Sequence, residues 1–97
     1  MSPLLNNIKQ TLSSALPDLR KRYPISEMAL FGSQVSGDAT EKSDVDILVS
    51  FNGAIGIQFI DLADELEKLL GKKVDLITKE GLKHRQWEYL KDKVVYV

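Results

Sequence analysis

The spacing of apolar positions changes several times along this chain, and each change marks an element boundary. Leu4, Leu5, Ile8, Leu12 and Leu16 recur three and four apart, as on one face of a helix, and Ser2-Pro3 before them reads as an N-cap with proline at the first helical position. An amphipathic first helix is predicted. Proline inside a helix forfeits a hydrogen bond, so Pro17 to Tyr23 reads as a separate short helix ended near Pro24, with Arg20, Lys21 and Arg22 on its exposed side. Met28-Ala29-Leu30-Phe31 is too short a run for a helix and predicts a buried strand stopped by Gly32. Val45 to Phe51 predicts a second strand, closed by the turn pair Asn52-Gly53. Ile57, Ile60, Leu62, Ala63, Leu66, Leu69 and Leu70 then form a helical stripe, with Asp61, Asp64, Glu65, Glu67 and Lys68 on the other side and Gly71 as the stop. Lys73 to Thr78 alternates as a strand, Gly81 to Lys93 predicts a helix, and Val94 to Val97 a short terminal strand.

Composition narrows the class. The chain has 97 residues, of which 43% are hydrophobic and 28% charged, as expected of one small globular domain spanning 1–97. Thirteen basic and fourteen acidic residues leave a net charge of -1, so no global field draws the protein onto a nucleic-acid backbone, and no stable nucleic-acid binding is expected. With no cysteine, disulfides and thiolate metal sites are excluded. No apolar run approaches the roughly 20 residues that span a bilayer, and the N-terminal residues lack a basic region followed by an apolar core. No membrane association is expected, and a cytoplasmic location is.

The candidate chemistry lies in the middle of the chain. Alternate side chains of a strand share a face, so Asp44, Asp46 and Leu48 point one way and Val45, Ile47 and Val49 the other. If the strand holding Val74-Asp75-Leu76-Ile77 pairs alongside, Asp75 brings a third carboxylate to that face. Three carboxylates repel unless a cation neutralises them, and oxygen-only ligands suit Mg²⁺ or Mn²⁺. Gly32-Ser33 answers a different need, because glycine lets the backbone approach a phosphate and amides at a helix start attract anions. Each piece alone has an ordinary structural reading: a strand-to-turn junction for Gly32-Ser33, a turn cap for Asp44. An aspartate between Val45 and Ile47 is costly to bury without a partner, and Asp75 between Val74 and Leu76 poses the same problem. Asp38 and Glu41 read as solvated loop residues, His84 as a surface residue, and Trp87 with Leu90 as a core or interface stripe.

Gly32-Ser33-Gln34-Val35-Ser36-Gly37, followed by Ser43-Asp44-Val45-Asp46-Ile47-Leu48-Val49, resembles the minimal nucleotidyltransferases of the DNA polymerase beta superfamily. A GSx3G turn precedes a DxD strand, and Lys73-Val74-Asp75-Leu76-Ile77-Thr78 is similar to that family's third-carboxylate strand. The resemblance implies an α/β (α+β) fold, a small mixed β-sheet flanked by helices. It implies Asp44, Asp46 and Asp75 as catalytic metal ligands, with two Mg²⁺ ions (or Mn²⁺), and contacts to donor ATP from Gly32, Ser33 and Ser43. It further implies an antitoxin that transfers AMP to a tyrosine of a small all-helical HEPN-type ribonuclease toxin.

Family members often carry a basic residue at the positions held here by Gln34 and especially Ser36. Serine supplies no charge beside the triphosphate, and Arg85 or Lys42 is a candidate substitute. Two rival readings follow. One is a non-catalytic antitoxin that neutralises its partner by contact; the other, a small-molecule transferase, lacks an obvious second lobe to enclose an acceptor. The oligomeric state, a homo-oligomer included, stays open.

Overall fold

A computed structural model describes residues 3–40 and 42–97. The Ser2 cap and the loop position of Glu41 lie outside the described residues. Helix α1 (Pro3–Arg22) leads into strand β1 (Ile25–Phe31), a single turn of helix α2 (Ser33–Ser36), strand β2 (Val45–Phe51), helix α3 (Gln58–Leu70) and strand β3 (Val74–Thr78). A 3-10 turn (Lys79–Gly81), helix α4 (His84–Leu90) and strand β4 (Val95–Tyr96) complete the chain. The strands form one sheet in the order β3-β2-β1-β4, the small mixed sheet with helices that the resemblance implies. β1 runs antiparallel to β2 and β4, and β2 runs parallel to β3.

Strand alternation sorts the two faces. Met28 and Leu30 of β1, Val45, Ile47 and Val49 of β2, and Val74 and Leu76 of β3 face one side and are buried there. Leu5, Ile8, Leu12, Leu16 and Leu19 of α1 and Leu62 and Leu66 of α3 complete that core. The other face carries Ala29 and Phe31 of β1, Asp46, Leu48 and Ser50 of β2, and Asp75 and Ile77 of β3. Helix α4 lies along this second face. Trp87 borders a hollow beside Glu27 and Ser50, while Tyr89 and Leu90 border another beside Phe31 and Gly32.

Three details depart from the sequence-based expectations. Pro17 does not break the first helix, which runs unbroken from Pro3 to Arg22. The missing amide costs about 3 kcal/mol, whereas burying Leu16 and Leu19 on either side returns roughly 1.5–3 kcal/mol each, and the Pro17 ring faces solvent. The apolar stripe of α3 is wider than its buried face, since Ile57 and Ile60 are 78% and 59% exposed. The predicted helix from Gly81 to Lys93 is only His84–Leu90: Gly81 belongs to the 3-10 turn, held by the Thr78 hydroxyl, which accepts the Gly81 amide at 3.1 Å, and Leu82 is extended.

Two hydrogen bonds, one to a side chain and one between backbones, fix the strand ends that frame the site. Glu67 accepts the Val74 amide at 2.9 Å, and the Val45 amide donates to the Lys73 carbonyl at 2.9 Å. Together they set the parallel register that pairs Asp46 with Asp75.

Candidate active site

Asp46 and Asp75 are directly paired across β2 and β3, so their side chains leave the same face of neighbouring strands about 4.8 Å apart. Asp44 lies two residues earlier, immediately before β2, and is exposed. The sheet thus brings the three predicted carboxylates to one edge. Among the described residues, no three acidic, histidine or cysteine side chains converge tightly enough to hold an ion as they stand. Like charges spread apart without a counter-ion between them.

The electrostatics of Asp46 record this crowding. Burial is the largest influence raising its pKa above the ordinary aspartate value, and Asp75 and then Asp44 add to it. No hydrogen-bond donor among the described residues offsets them. An unpaired, partly buried carboxylate beside two others fits a divalent cation with oxygen ligands.

Gly32 sits against this carboxylate. It pairs with no residue in the ladder but follows Phe31, whose partner is Asp46, and a Cβ built on Gly32 would lie 2.1 Å from Asp46 Oδ2. Its φ of +74° with ψ of -147° is a conformation that essentially only glycine adopts. Two independent constraints therefore demand glycine here. Past it, Ser33–Ser36 turns once as a helix, with the Val35 and Ser36 amides donating back to the Gly32 carbonyl at 3.1 and 3.0 Å. Gly37 ends that turn in the left-handed region.

The remaining predicted residues divide. Ser33 opens α2 beside Gly32, and its carbonyl accepts the Gly37 and Ala39 amides at 3.1 Å each. Ser43 is engaged within the loop, its hydroxyl accepting the Thr40 amide at 2.9 Å and its own amide donating to the Thr40 carbonyl at 3.0 Å. That arrangement braces the turn that delivers Asp44. Ser36 donates its hydroxyl to Asp38 at 3.0 Å, which sets a further carboxylate beside the glycine turn. Lys42 and Arg85 are exposed, and neither lines the cleft beside the turn.

Sequence reasoning missed the structural part of Gln34. Only 1% exposed, it donates from Nε2 to the Asp44 carbonyl at 3.3 Å and so ties the glycine turn to the start of the carboxylate strand. Its Oε1 is buried with no partner among the described residues. A polar residue in a four-residue helix normally reads as solvated, so only its burial reveals this role.

Comparison with known proteins agrees with the arrangement. A family model described as nucleotidyltransferase domain matches residues 12–97. The protein adenylyltransferase MntA of Thermococcus cleftensis is 43% identical over 94 residues, covering 96% of this chain and 95% of that protein. A solved structure assigned as a minimal nucleotidyltransferase superposes with a TM-score of 0.80 at 31% identity, covering 96% of this chain and 95% of the other. A crystal structure of a toxin-antitoxin with AMP-PNP shares the fold, with a TM-score of 0.67 at 24% identity over 95% of this chain and 70% of that one. A mixed sheet that sets two strand-borne aspartates beside a glycine turn, with sequence identity extending along nearly the whole chain, makes this protein a member of the nucleotidyltransferase family, of the minimal type.

Proposed function

We propose that the protein transfers AMP from ATP to a hydroxyl of a protein acceptor, a tyrosine of a small helical HEPN-type toxin, and thereby acts as an antitoxin. The observation that carries this reading is the contact between Gly32 and the Asp46 carboxylate, with Asp75 in register beside it. A turn able to admit phosphate close to its backbone abuts acidic groups able to hold the metal of the same substrate. The likeness to a protein adenylyltransferase supports the acceptor class, and the likeness in fold to a toxin-antitoxin structure supports the partner.

In this reading Asp44, Asp46 and Asp75 hold Mg²⁺, which when bound would neutralise charge on the transferring phosphoryl group. Backbone amides at Gly32 and Ser33 hold the donor phosphates. Asp75 accepts the proton of the acceptor hydroxyl, whose oxygen bonds to the alpha phosphorus as the bond to the bridging oxygen breaks and pyrophosphate leaves. Asp46, whose carboxylate abuts Gly32, would be the metal-holding residue beside the turn. No described helix is long and apolar enough to cross a membrane.

One observation favours a second reading, a non-catalytic antitoxin. The Ser36–Asp38 hydrogen bond places negative charge where the donor needs a cation. Incubation with the helical partner, Mg²⁺ and alpha-labelled ATP separates the two. Label on the partner that Asp44→Asn/Asp46→Asn cannot add supports transfer. A stable complex with no label from any of the four nucleotides favours neutralisation by contact.

A further inference from the structure

We infer that Lys93 supplies the cation for the donor triphosphate that Ser36 does not, held in place for that task by Tyr89. The inference rests on the donor site proposed above and adds the charged wall that this site lacks. A nucleoside triphosphate brings about four negative charges to an edge already carrying three aspartates. Metal ions offset part of that. On the turn itself Gln34 is neutral and buried, and the Ser36 hydroxyl is spent on Asp38.

A cleft of about 390 Å³ separates this turn from α4 and the residues that follow it. Gly32 and Ser36 form one wall, Tyr89, Leu90 and Lys93 the other, and Phe31 the floor. Its volume is that of a small-molecule site. It is continuous with the acidic edge, because Gly32 both lines the cleft and touches the Asp46 carboxylate, and Phe31 pairs with Asp46 in the sheet. A donor with its phosphates on Gly32 therefore lies along this cleft, its nucleoside against Phe31 and Leu90.

Lys93 is set at the rim of that space. Its ammonium donates to the Tyr89 carbonyl at 2.9 Å and sits 4.2 Å from the centre of the Tyr89 ring. These contacts order a flexible side chain while using one of its three N–H donors, which leaves two for phosphate oxygens. Of the neighbouring lysines, Lys91 pairs with Glu88 at 2.8 Å, and Lys79 lies over the Trp87 ring, which borders a different hollow. Among the described residues, Lys93 is the cation lining this cleft, and no carboxylate lines it. Tyr89 is 68% exposed, which its part in holding Lys93 explains better than packing does.

The test is equilibrium binding of Mg-ATP and of AMP by calorimetry, joined to the labelling assay, on wild type, Lys93→Met, Lys93→Arg and the double variant Ser36→Arg/Lys93→Met. The expected result is a tenfold or greater loss of ATP affinity in Lys93→Met and a much smaller change for AMP. Lys93→Arg retains affinity. The double variant regains it, because the arginine restores positive charge from the facing wall, a rescue that no merely structural role of Lys93 predicts. Unchanged ATP affinity in Lys93→Met, with label still transferred and still dependent on Asp44 and Asp46, overturns the inference and leaves the donor site standing. A wild-type protein that neither binds ATP nor transfers label overturns both.

Discussion

Glu65 and Asp46 are both partly buried carboxylates, and the chain treats them in opposite ways. Glu65 joins α3 to α1: it accepts from both terminal nitrogens of Arg22, which also reaches Asp18 at 2.8 Å, and from the Tyr23 hydroxyl at 2.9 Å. The Arg22 hydrogen bond, more than any other influence, holds its pKa below the ordinary glutamate value. Asp46 has no such donor, and burial with two neighbouring aspartates pushes its pKa up. The scaffold side of the sheet is neutralised by its own cations, whereas no donor among the described residues neutralises Asp46. In the proposed function, a group that opposes folding beside a glycine turn is where stability is exchanged for activity.

The sharpest way to break the open edge is Gly32→Ala. Its Cβ would meet Asp46 Oδ2 at 2.1 Å in a backbone conformation that alanine resists. We expect transfer to fall about a hundredfold, as displacement of a positioned group by about 1 Å can do, and stability to fall by about 1–3 kcal/mol, read from the urea midpoint. Gly37→Ala is the control: its φ is +89°, but nothing among the described residues lies within 4 Å of the added methyl. It should cost stability alone, and equal loss of transfer in both variants would show that the Asp46 contact is immaterial.

The two carboxylates should also respond oppositely to neutralisation. At neutral pH with EDTA, Glu65→Gln lowers stability by about 1 kcal/mol after allowing for solvent screening. Asp46→Asn raises it. The signs follow from linkage. The Glu65 contribution is present above the ordinary glutamate pKa and is lost as pH falls through its lowered value, so the cost of Glu65→Gln fades in acid. Asp46 binds its proton more tightly when folded, so its penalty is absent below the ordinary aspartate pKa and grows as pH rises through the raised one. The gain from Asp46→Asn therefore grows from acid to neutral. Thermal melts of both variants across that range check it, and a destabilised Asp46→Asn at neutral pH would mean that an unrecognised donor pairs with Asp46.

Which parts of this were legible in the sequence follows from how local each determinant is. The alternation in Val45–Phe51 fixed the faces of β2 without outside help, and the pairing of Asp75 with Asp46 followed once β3 lay alongside. Gly32 and Gly71 marked ends that the structure places in the left-handed region. Pro17 misled because its penalty is local while the compensation from Leu16 and Leu19 is tertiary. The same holds at the site. Its carboxylates sit in one short motif and one strand, but Lys93 comes to line the cleft beside the glycine turn only through the placement of α4, and the candidate cations named from the sequence were Lys42 and Arg85.

Gln34 is the smallest and most diagnostic case. Its hydrogen bond to the Asp44 carbonyl is long, at 3.3 Å, and its own Oε1 is buried without a partner among the described residues. A net hydrogen bond contributes about 1 kcal/mol and an orphaned buried carbonyl costs about as much, so the two nearly cancel. Gln34→Met, of similar length and with no orphaned amide, should leave the urea midpoint within about 0.5 kcal/mol of wild type. Transfer should nevertheless drop severalfold, because the side-chain tie from the glycine turn to the Asp44 carbonyl is then lost and Asp44 is held less firmly. A variant that loses stability in proportion to activity would assign Gln34 to packing. Loss of transfer at constant stability would assign it to the geometry of the acidic edge, which the fold itself does not require.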